Sequence, residues 1–415
     1  MAPGPDGGLY VSIPVRGGPA VLLLLDRDGR PRPGWPISIT NSTRCGVPYP
    51  VADGTVRVVC DATDLPQPEI EIADVRAFAF DVNGRSLDGW PVQLPAVSAG
   101  SVAGTDLTVV TERSLGDTVT DGRVSREATV AIVGADGTIR RGTPVGLDQT
   151  CCADDRWAVG SDGVAAGVGG TDEDTEVGAV TTLDHSGMRA GWPVKIEGFG
   201  SSPVFGPDGQ IVVTLGSAKR QTSRVSVLDS GGKATSSGVL PIATAELPDT
   251  GGCSAYSPRA PIVARNGTIF VYSELDRSIY GLTPTLAVMK GWPFEPSTSL
   301  ATARPGLESE HEAGYCPTPV VPVIAPDGSL LLSLRATSSK VGGSLVAVGA
   351  DGRVRTGWPV ELKRPGAEFW SVVVGSDGTT YALAIGPESR ATSSASILAI
   401  APDSTVRYST TIINP

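Results

Sequence analysis

The tripeptide Gly-Trp-Pro recurs along this chain at intervals longer than any single strand or helix. It occupies residues 34–36, 89–91, 191–193, 291–293 and 357–359. Degenerate copies at residues 142–144 and 238–241 fill the gaps, so that successive copies lie 48 to 66 residues apart, and a last degenerate copy falls near residues 408–410. Self-similarity at such a period indicates one supersecondary unit copied along the whole chain.

Two kinds of turn recur between these copies. The first lies around Asp6, Asp53, Asp106, Asp162, Asp208, Asn266, Asp327 and Asp377, and the second around Asp28, Asn83, Asp136, Ser186, Ser230, Pro284, Asp351 and Asp403. Asp-Gly and Asn-Gly between alternating apolar residues predict hairpins, because these residues accept a positive φ. Each unit therefore contains four short strands, which is typical of a propeller blade.

We predict an all-β fold: a single eight-bladed β-propeller of four-stranded antiparallel blades, one domain over residues 1–415. The approximate units are 1–40, 41–95, 96–147, 148–197, 198–243, 244–296, 297–362 and 363–415. A helical fold is disfavoured because 52 Gly and 34 Pro interrupt every window that could hold a helical period. The repeated Trp is predicted to pack between neighbouring blades, which bury each other's faces.

Charge and hydropathy exclude several partners. The net charge of −11 and the sequence pI near 4.8 disfavour nucleic acid, and the sequence has no basic stripe. No apolar run reaches the length that crosses a bilayer, so we predict a chain that does not span a membrane. We also expect the chain to be a monomer. The first residues match the middle of a repeat, so we expect that a signal segment has been removed.

The six cysteines favour an oxidising, extracytoplasmic compartment, and a secreted protein, because their number is even and they lie in loops. They are Cys45, Cys60, Cys151, Cys152, Cys253 and Cys316, and all are predicted on one rim, here called the top. Pairs Cys45–Cys60 and Cys253–Cys316 would leave the adjacent Cys151 and Cys152. These two either form a strained vicinal disulfide, of the kind kept at functional sites, or pair elsewhere or stay reduced.

The strand–Asp-Gly–strand pattern that ends in Gly-Trp-Pro, as in residues 350–359, resembles the pyrroloquinoline-quinone-type propeller repeat superfamily. That superfamily includes quinoprotein alcohol dehydrogenases and outer-membrane-assembly scaffold lipoproteins, and the resemblance covers essentially the whole chain. Secreted FG-GAP-type propellers are a nearly equal match. For a dehydrogenase, the resemblance implies pyrroloquinoline quinone with calcium, above a Cys-Cys pair like Cys151-Cys152.

The residues supply little catalytic chemistry. Only His185 and His311 are present, with no Gly-x-Ser-x-Gly and no P-loop, so we predict no catalytic residues and no enzyme of the serine-hydrolase or nucleotide-binding class. Neither His has a Cys neighbour at ligand spacing, so no metal site is predicted. Asp81 and Asn83 form a fragment of a calcium loop, but we interpret them as turn residues.

The candidate ligand contacts lie on the top rim, because loops on a rigid scaffold carry most binding residues. They are Arg44, Tyr49, Asp154, Asp155, Arg156, Trp157, Tyr256, Arg259, His311, Glu312, Tyr315, Glu368 and Trp370. Trp157 and Trp370 stand outside the repeated Trp position. Each is either a platform for a sugar, peptide or quinone ring or a cap on the core.

Three functional hypotheses follow. The favoured one is an extracytoplasmic, non-catalytic binding or scaffold propeller that uses no cofactor and recognises a protein or glycan partner on its top face. The alternatives are a quinone-dependent dehydrogenase and a carbohydrate-binding or carbohydrate-cleaving propeller, for which the paired carboxylates cannot be assigned by spacing.

Overall fold

The computed structural model describes residues 1–4, 6–13, 18–40, 42, 44–61, 75–95, 97–114, 123–150, 157–172, 177–217, 222–241, 259–273, 276–297, 321–336, 340–386 and 394–413. These residues form eight antiparallel sheets, one per blade, arranged as the predicted eight-bladed propeller. In the described ranges, no helix is long and apolar enough to cross a membrane.

Blades 1 to 4 use the first half of the chain. Their strands are β1 (Ala2–Pro3), β2 (Leu9–Ile13), β3 (Ala20–Leu25) and β4 (Ile37–Ile39) in blade 1; β5 (Arg44–Cys45), β6 (Tyr49–Pro50), β7 (Val56–Asp61), β8 (Val75–Phe80) and β9 (Val92–Leu94) in blade 2; β10 (Val97–Ala103), β11 (Asp106–Ser114), β12 (Arg123–Val133), β13 (Ile139–Arg141) and β14 (Val145–Thr150) in blade 3; and β15 (Trp157–Val159), β16 (Ala165–Asp172), β17 (Val177–Asp184), β18 (Gly187–Met188) and β19 (Val194–Glu197) in blade 4.

Blades 5 to 8 follow the same order. Their strands are β20 (Phe199–Gly200), β21 (Val204–Phe205), β22 (Ile211–Ser217), β23 (Thr222–Leu228) and β24 (Ala234–Val239) in blade 5; β25 (Ile262–Val263), β26 (Ile269–Tyr272) and β27 (Ile279–Leu282) in blade 6; β28 (Val323–Ile324), β29 (Leu330–Leu334), β30 (Ser344–Val348) and β31 (Val360–Glu361) in blade 7; and β32 (Glu368–Val374), β33 (Thr380–Ile385), β34 (Ser394–Ile400) and β35 (Val406–Ile413) in blade 8. In blade 6, bridges from Val288 and Phe294 stand in the place of the fourth strand.

Within each blade the strands pair in chain order, here called A to D, and the A strands contact one another around the centre. The connections from D to the next A, and from B to C, form the top face, while the A–B and C–D turns form the bottom face. Blade 1 consists only of N-terminal strands and blade 8 only of C-terminal strands, so no strand is shared where β1 meets β32. The ring is therefore closed by side-chain packing and not by strand exchange.

The core is a ring of eight apolar clusters, one at each junction between neighbouring blades. At the closing junction, Leu9 and Leu25 of blade 1 pack against Tyr381 and Ile397 of blade 8. Because each blade buries one face on each neighbour, the ring supplies the burial that a lone blade lacks.

Each of the five Gly-Trp-Pro tryptophans is 6 to 8% exposed and lies in one of these junctions. All five Trp-Pro peptide bonds are cis. Four of the indole nitrogens donate across the junction to a carbonyl in the C–D turn of the next blade: Trp35 to Val82, Trp90 to Ala135, Trp192 to Ser230 and Trp292 to Ala350, at 3.0 to 3.3 Å. The tryptophan therefore joins neighbouring blades through both its ring and its donor.

The four turns that accept these bonds contain a glycine that has a positive φ and touches the glycine before the tryptophan. A Cβ on Gly352, for example, would lie 2.1 Å from the carbonyl oxygen of Gly291. At the junction of blades 7 and 8 the turn residue is instead Ser404, at φ 73°. There the indole nitrogen of Trp358 has no hydrogen-bond partner among the described residues, and a cavity of about 190 Å³ opens beside Trp358 and Pro402.

The recurring Asp residues are explained by the turns themselves. Asp81 Oδ1 accepts hydrogen bonds from the backbone N–H groups of Asn83 and Arg85, both at 2.8 Å, and the same type of contact recurs at most of the other turns. Such an Asx contact replaces a backbone hydrogen bond and stabilises the turn. The interpretation of Asp81 as a turn residue is confirmed by these contacts.

On the bottom face, four of these Asp residues also pair with an Arg that follows the C–D turn of the same blade: Arg32–Asp6, Arg140–Asp106, Arg355–Asp327 and Arg407–Asp377. Partial burial alone would raise the pKa of Asp327, but the hydrogen bonds from Ser329 and Arg355 outweigh it, so this pKa lies below its ordinary value. Each of the four ion pairs therefore joins two parts of one blade.

Candidate functional site

The disulfide Cys45–Cys60 lies on the top face of blade 2, as predicted. The two residues are direct partners across β5 and β7, with their Cα atoms 4.0 Å apart, and the bond closes a stretch with a sequence separation of 15. It joins the inner strand β5 to β7 at the top of blade 2. Cys151, Cys152, Cys253 and Cys316 lie outside the described residues, so their pairing stays a prediction.

Six of the thirteen predicted ligand contacts fall in the described ranges: Arg44, Tyr49, Trp157, Arg259, Glu368 and Trp370. They lie on or just before the A strands of blades 2, 4, 6 and 8. The other seven, Asp154, Asp155, Arg156, Tyr256, His311, Glu312 and Tyr315, lie outside those ranges.

Trp157 joins two blades. Its indole nitrogen donates to Glu112 Oε1 of blade 3 at 2.6 Å, and its ring covers Gly167 so closely that a Cβ there would lie 2.7 Å away. The side chain also packs against the apolar cluster between blades 3 and 4. Of the two interpretations offered for this Trp, these contacts support the cap on the core.

Tyr49 and Arg44, both in blade 2, differ in their exposure to solvent. Tyr49 packs against the cluster between blades 2 and 3, and burial raises the pKa of its hydroxyl. Arg44 is exposed and lies opposite Asp61 across β5 and β7. Arg44 is thus the one of the two whose side chain faces solvent.

Glu368 and Trp370, on the inner strand of blade 8, have unmet hydrogen-bonding groups. Glu368 is only 7% exposed; its Oε1 lies 3.5 Å from Arg335 Nε of blade 7, while Oε2 has no partner within the described ranges. The indole nitrogen of Trp370 is likewise buried without a partner among those residues. A buried acceptor and a buried donor therefore lie two residues apart at the top of one strand. Unpaired groups of this kind are rare and call for an explanation.

The backbone around this pair is held firmly. Gly343, in the B–C region of blade 7, donates its N–H to Ala367 at 2.7 Å and accepts from Leu362 at 3.0 Å. Ser333 Oγ donates to the carbonyl of Phe369 at 2.9 Å. Hydrogen bonds therefore hold the backbone at the top of blade 7 to the inner strand of blade 8.

The part of this site that we did not predict is Arg335. It follows the first buried residue of strand B, Leu330, by five positions, and Glu112 follows Leu107 by the same number. Each contacts the A strand of the next blade, Glu368 in one case and Trp157 in the other. A charged residue at this position of a blade is therefore the sequence signal that could have identified both contacts.

The resemblance to quinoprotein dehydrogenases implies pyrroloquinoline quinone held together with a calcium ion. Across the described stretches, no three Cys, His, Asp or Glu side chains are grouped in a way that could hold a metal ion. Pyrroloquinoline quinone with calcium therefore stays a prediction from the resemblance.

No protein-family model matches the sequence, and a search of curated proteins found no match. Among solved structures, virginiamycin B lyase from Staphylococcus aureus is 13% identical, with a TM-score of 0.41, over 72% of this chain and 88% of that one. The propeller domain of the Trilobed protease from Pyrococcus furiosus is 9% identical, with a TM-score of 0.45, over 88% and 97%. A eukaryotic initiation factor is 11% identical, with a TM-score of 0.50, over 97% and 84%. At these identities the likeness concerns the fold alone, and membership of the quinone-type superfamily stays a prediction.

Proposed function

We propose that this chain is a non-catalytic binding propeller that receives a glycan on its top face, at the inner strand of blade 8. The observation that carries the proposal is the buried pair of unmet groups, Glu368 Oε2 and Trp370 Nε1, within a rigid junction.

A sugar hydroxyl suits this pair because one hydroxyl both donates and accepts. A sugar carries several hydroxyls, so one can donate to the carboxylate oxygen of Glu368 and the same or a neighbouring one can accept from the indole nitrogen of Trp370. Leaving such groups unpaired costs more than a hydrogen bond gains, so a ligand that satisfies both is strongly favoured. The faces of tryptophan rings also stack on the apolar faces of sugar rings.

The Cys45–Cys60 disulfide supports an extracytoplasmic location, because such bonds persist in oxidising compartments. Glycan binding through hydrogen bonds and ring stacking requires no cofactor.

The test is titration calorimetry with a panel of neutral and acidic oligosaccharides. We expect one class to bind, and Glu368→Gln and Trp370→Phe each to weaken it at least about tenfold, the effect of one hydrogen bond to a charged or buried group. Trp157→Phe is the matched control: its indole nitrogen is already bound to Glu112, so its loss leaves affinity unchanged.

Two outcomes would overturn this proposal. One is equal weakening by all three variants, which would show a general loss of structure. The other is no glycan binding together with a rise in melting temperature on adding pyrroloquinoline quinone and Ca²⁺, which would favour the dehydrogenase hypothesis.

A further inference from the structure

A second concave site lies on the opposite, bottom face and is independent of the proposed top-face function. It is a cavity of about 700 Å³ formed by the A–B turns of blades 6, 7 and 8 and the C–D turn of blade 7. This volume is within the range of about 300 to 1,000 Å³ in which proteins hold small molecules.

The walls of this cavity are mainly apolar. Val263, Ile324 and Val374, at the lower ends of three inner strands, line it, and Phe270 and Met289 line it between blades 6 and 7. The thioether of a methionine adapts to ligand shape and contacts aromatic rings favourably. The cavity can therefore hold a flat or flexible apolar body.

The two charged side chains that line the cavity, Asp327 and Arg265, differ in whether they are paired with an opposite charge. The carboxylate of Asp327 is paired with Arg355, which with Ser329 holds the pKa of Asp327 below its ordinary value despite partial burial. Arg265 is exposed and makes no hydrogen bond or ion pair with any residue that the structure describes. The uncompensated charge at this cavity is therefore positive, in a chain whose net charge is −11.

Arg265 is also a departure from the repeat. The residue before the turn Asp or Asn is Pro, Ala or Ser at the corresponding place in blades 1, 2, 4, 5, 7 and 8, and only blade 6 has a charged residue there. The turn folds without that charge in six other blades, so turn formation does not account for the arginine.

We propose that this cavity binds a small carboxylic acid with an aromatic or branched apolar body. The carboxylate pairs with the guanidinium of Arg265, whose forked donors match the two carboxylate oxygens. The apolar body lies along Phe270 and Met289, where burial of apolar surface supplies the remaining affinity.

A matched series of probes tests the charge requirement: 2-naphthylacetate, 2-(2-naphthyl)ethanol and 2-(2-naphthyl)ethylamine. Binding is followed by titration calorimetry and by protein fluorescence. We expect the anion to bind at least about tenfold more tightly than the alcohol, and the amine to bind most weakly, because one charge-assisted hydrogen bond changes affinity by about that factor.

Three variants locate the site. Arg265→Gln should weaken the anion about tenfold and leave the alcohol unchanged. Arg353→Gln removes the same charge from an exposed arginine that does not line the cavity, and should change neither. Ala350→Trp fills the cavity from its exposed rim and should abolish binding of all three probes.

The proposal is overturned if no probe binds, if the amine binds as tightly as the anion, or if the two arginine variants behave alike. None of these results bears on the glycan proposal, because Glu368 and Trp370 lie at the other end of the inner strand of blade 8 and do not line this cavity.

Discussion

Substitution of Gly352 by Ser should weaken the junction between blades 6 and 7 far more than the same substitution elsewhere. Gly352 has φ 73°, and a Cβ placed on it would lie 2.1 Å from the carbonyl oxygen of Gly291. The carbonyl must retreat by more than an ångström to reach an ordinary contact. That movement separates the turn from Trp292, whose indole nitrogen donates to Ala350 at 3.0 Å.

The magnitude follows from two costs. A non-glycine residue in the left-handed region costs about 1–2 kcal/mol. A buried donor that loses its acceptor costs about a further 1–3 kcal/mol. The control is Gly328→Ser, because Gly328 has φ 83° and open space within 4 Å of its Cβ position, so that only the first cost applies.

Urea denaturation, followed by tryptophan fluorescence, measures both variants. We expect Gly352→Ser to lower the free energy of unfolding by about 1–3 kcal/mol more than Gly328→Ser. The junction of blades 7 and 8 shows the natural counterpart, since Ser404 occupies the glycine position and Trp358 lacks its bond in the described part of the chain. Equal losses in the two variants would refute the reasoning that close backbone contact holds the tryptophan bond.

Three further predictions follow from the described contacts. Removal of the disulfide by Cys45→Ser with Cys60→Ser should cost about 3 kcal/mol in urea denaturation, the value for a loop of 15 residues, and an unchanged free energy of unfolding would contradict this. The pKa values of Asp327 and Asp377 in the folded protein lie below the ordinary 3.8. The ionised carboxylates therefore contribute their full stabilisation above pH 3.8, and this contribution is lost as the pH falls through the folded pKa. Melting temperatures measured over a series of pH values should show a smaller acid loss in Asp377→Asn than in the wild type. Arg57 is fully buried with Nε and Nη2 unpaired in the described structure, so Arg57→Met should raise stability by about 1–3 kcal/mol, and a fall in melting temperature would contradict this.

The blade count and the turns could be predicted because their causes are local. An Asp whose side chain accepts from the N–H two residues on, as Asp53 does from Thr55 and Asp136 from Thr138, determines its turn within a few residues. Eight pairs of turns, most of them formed by an Asp in this way and with apolar strands between them, predicted the number of blades and the pairing of strands within each blade.

The candidate site was less predictable because its contacts cross between blades. Strand order placed Trp157 and Trp370 on the same rim, but it could not show that Trp157 is bound to Glu112 while the donor of Trp370 has no partner among the described residues. Trp157 and Trp370 differ in which residue lies five positions after the first buried residue of strand B in the preceding blade, and a β-bulge between Phe369 and Ser371 adjoins Trp370. Neither is visible in the repeat pattern of a single unit.

In a repeat protein, what every blade shares is explained by the fold, so function should be sought where one blade departs from the rest. Arg57 takes the strand B position that Tyr10 and Phe270 fill beside their tryptophans, and its guanidinium lies over the Trp90 ring at 5.2 Å. That departure is buried in a junction, so its consequence is a change in stability. Arg265 departs from the turn pattern at the surface of a cavity, where its charge can meet a ligand. A buried departure from the repeat, such as Arg57, therefore affects stability, whereas an exposed one, such as Arg265, is available to bind a ligand.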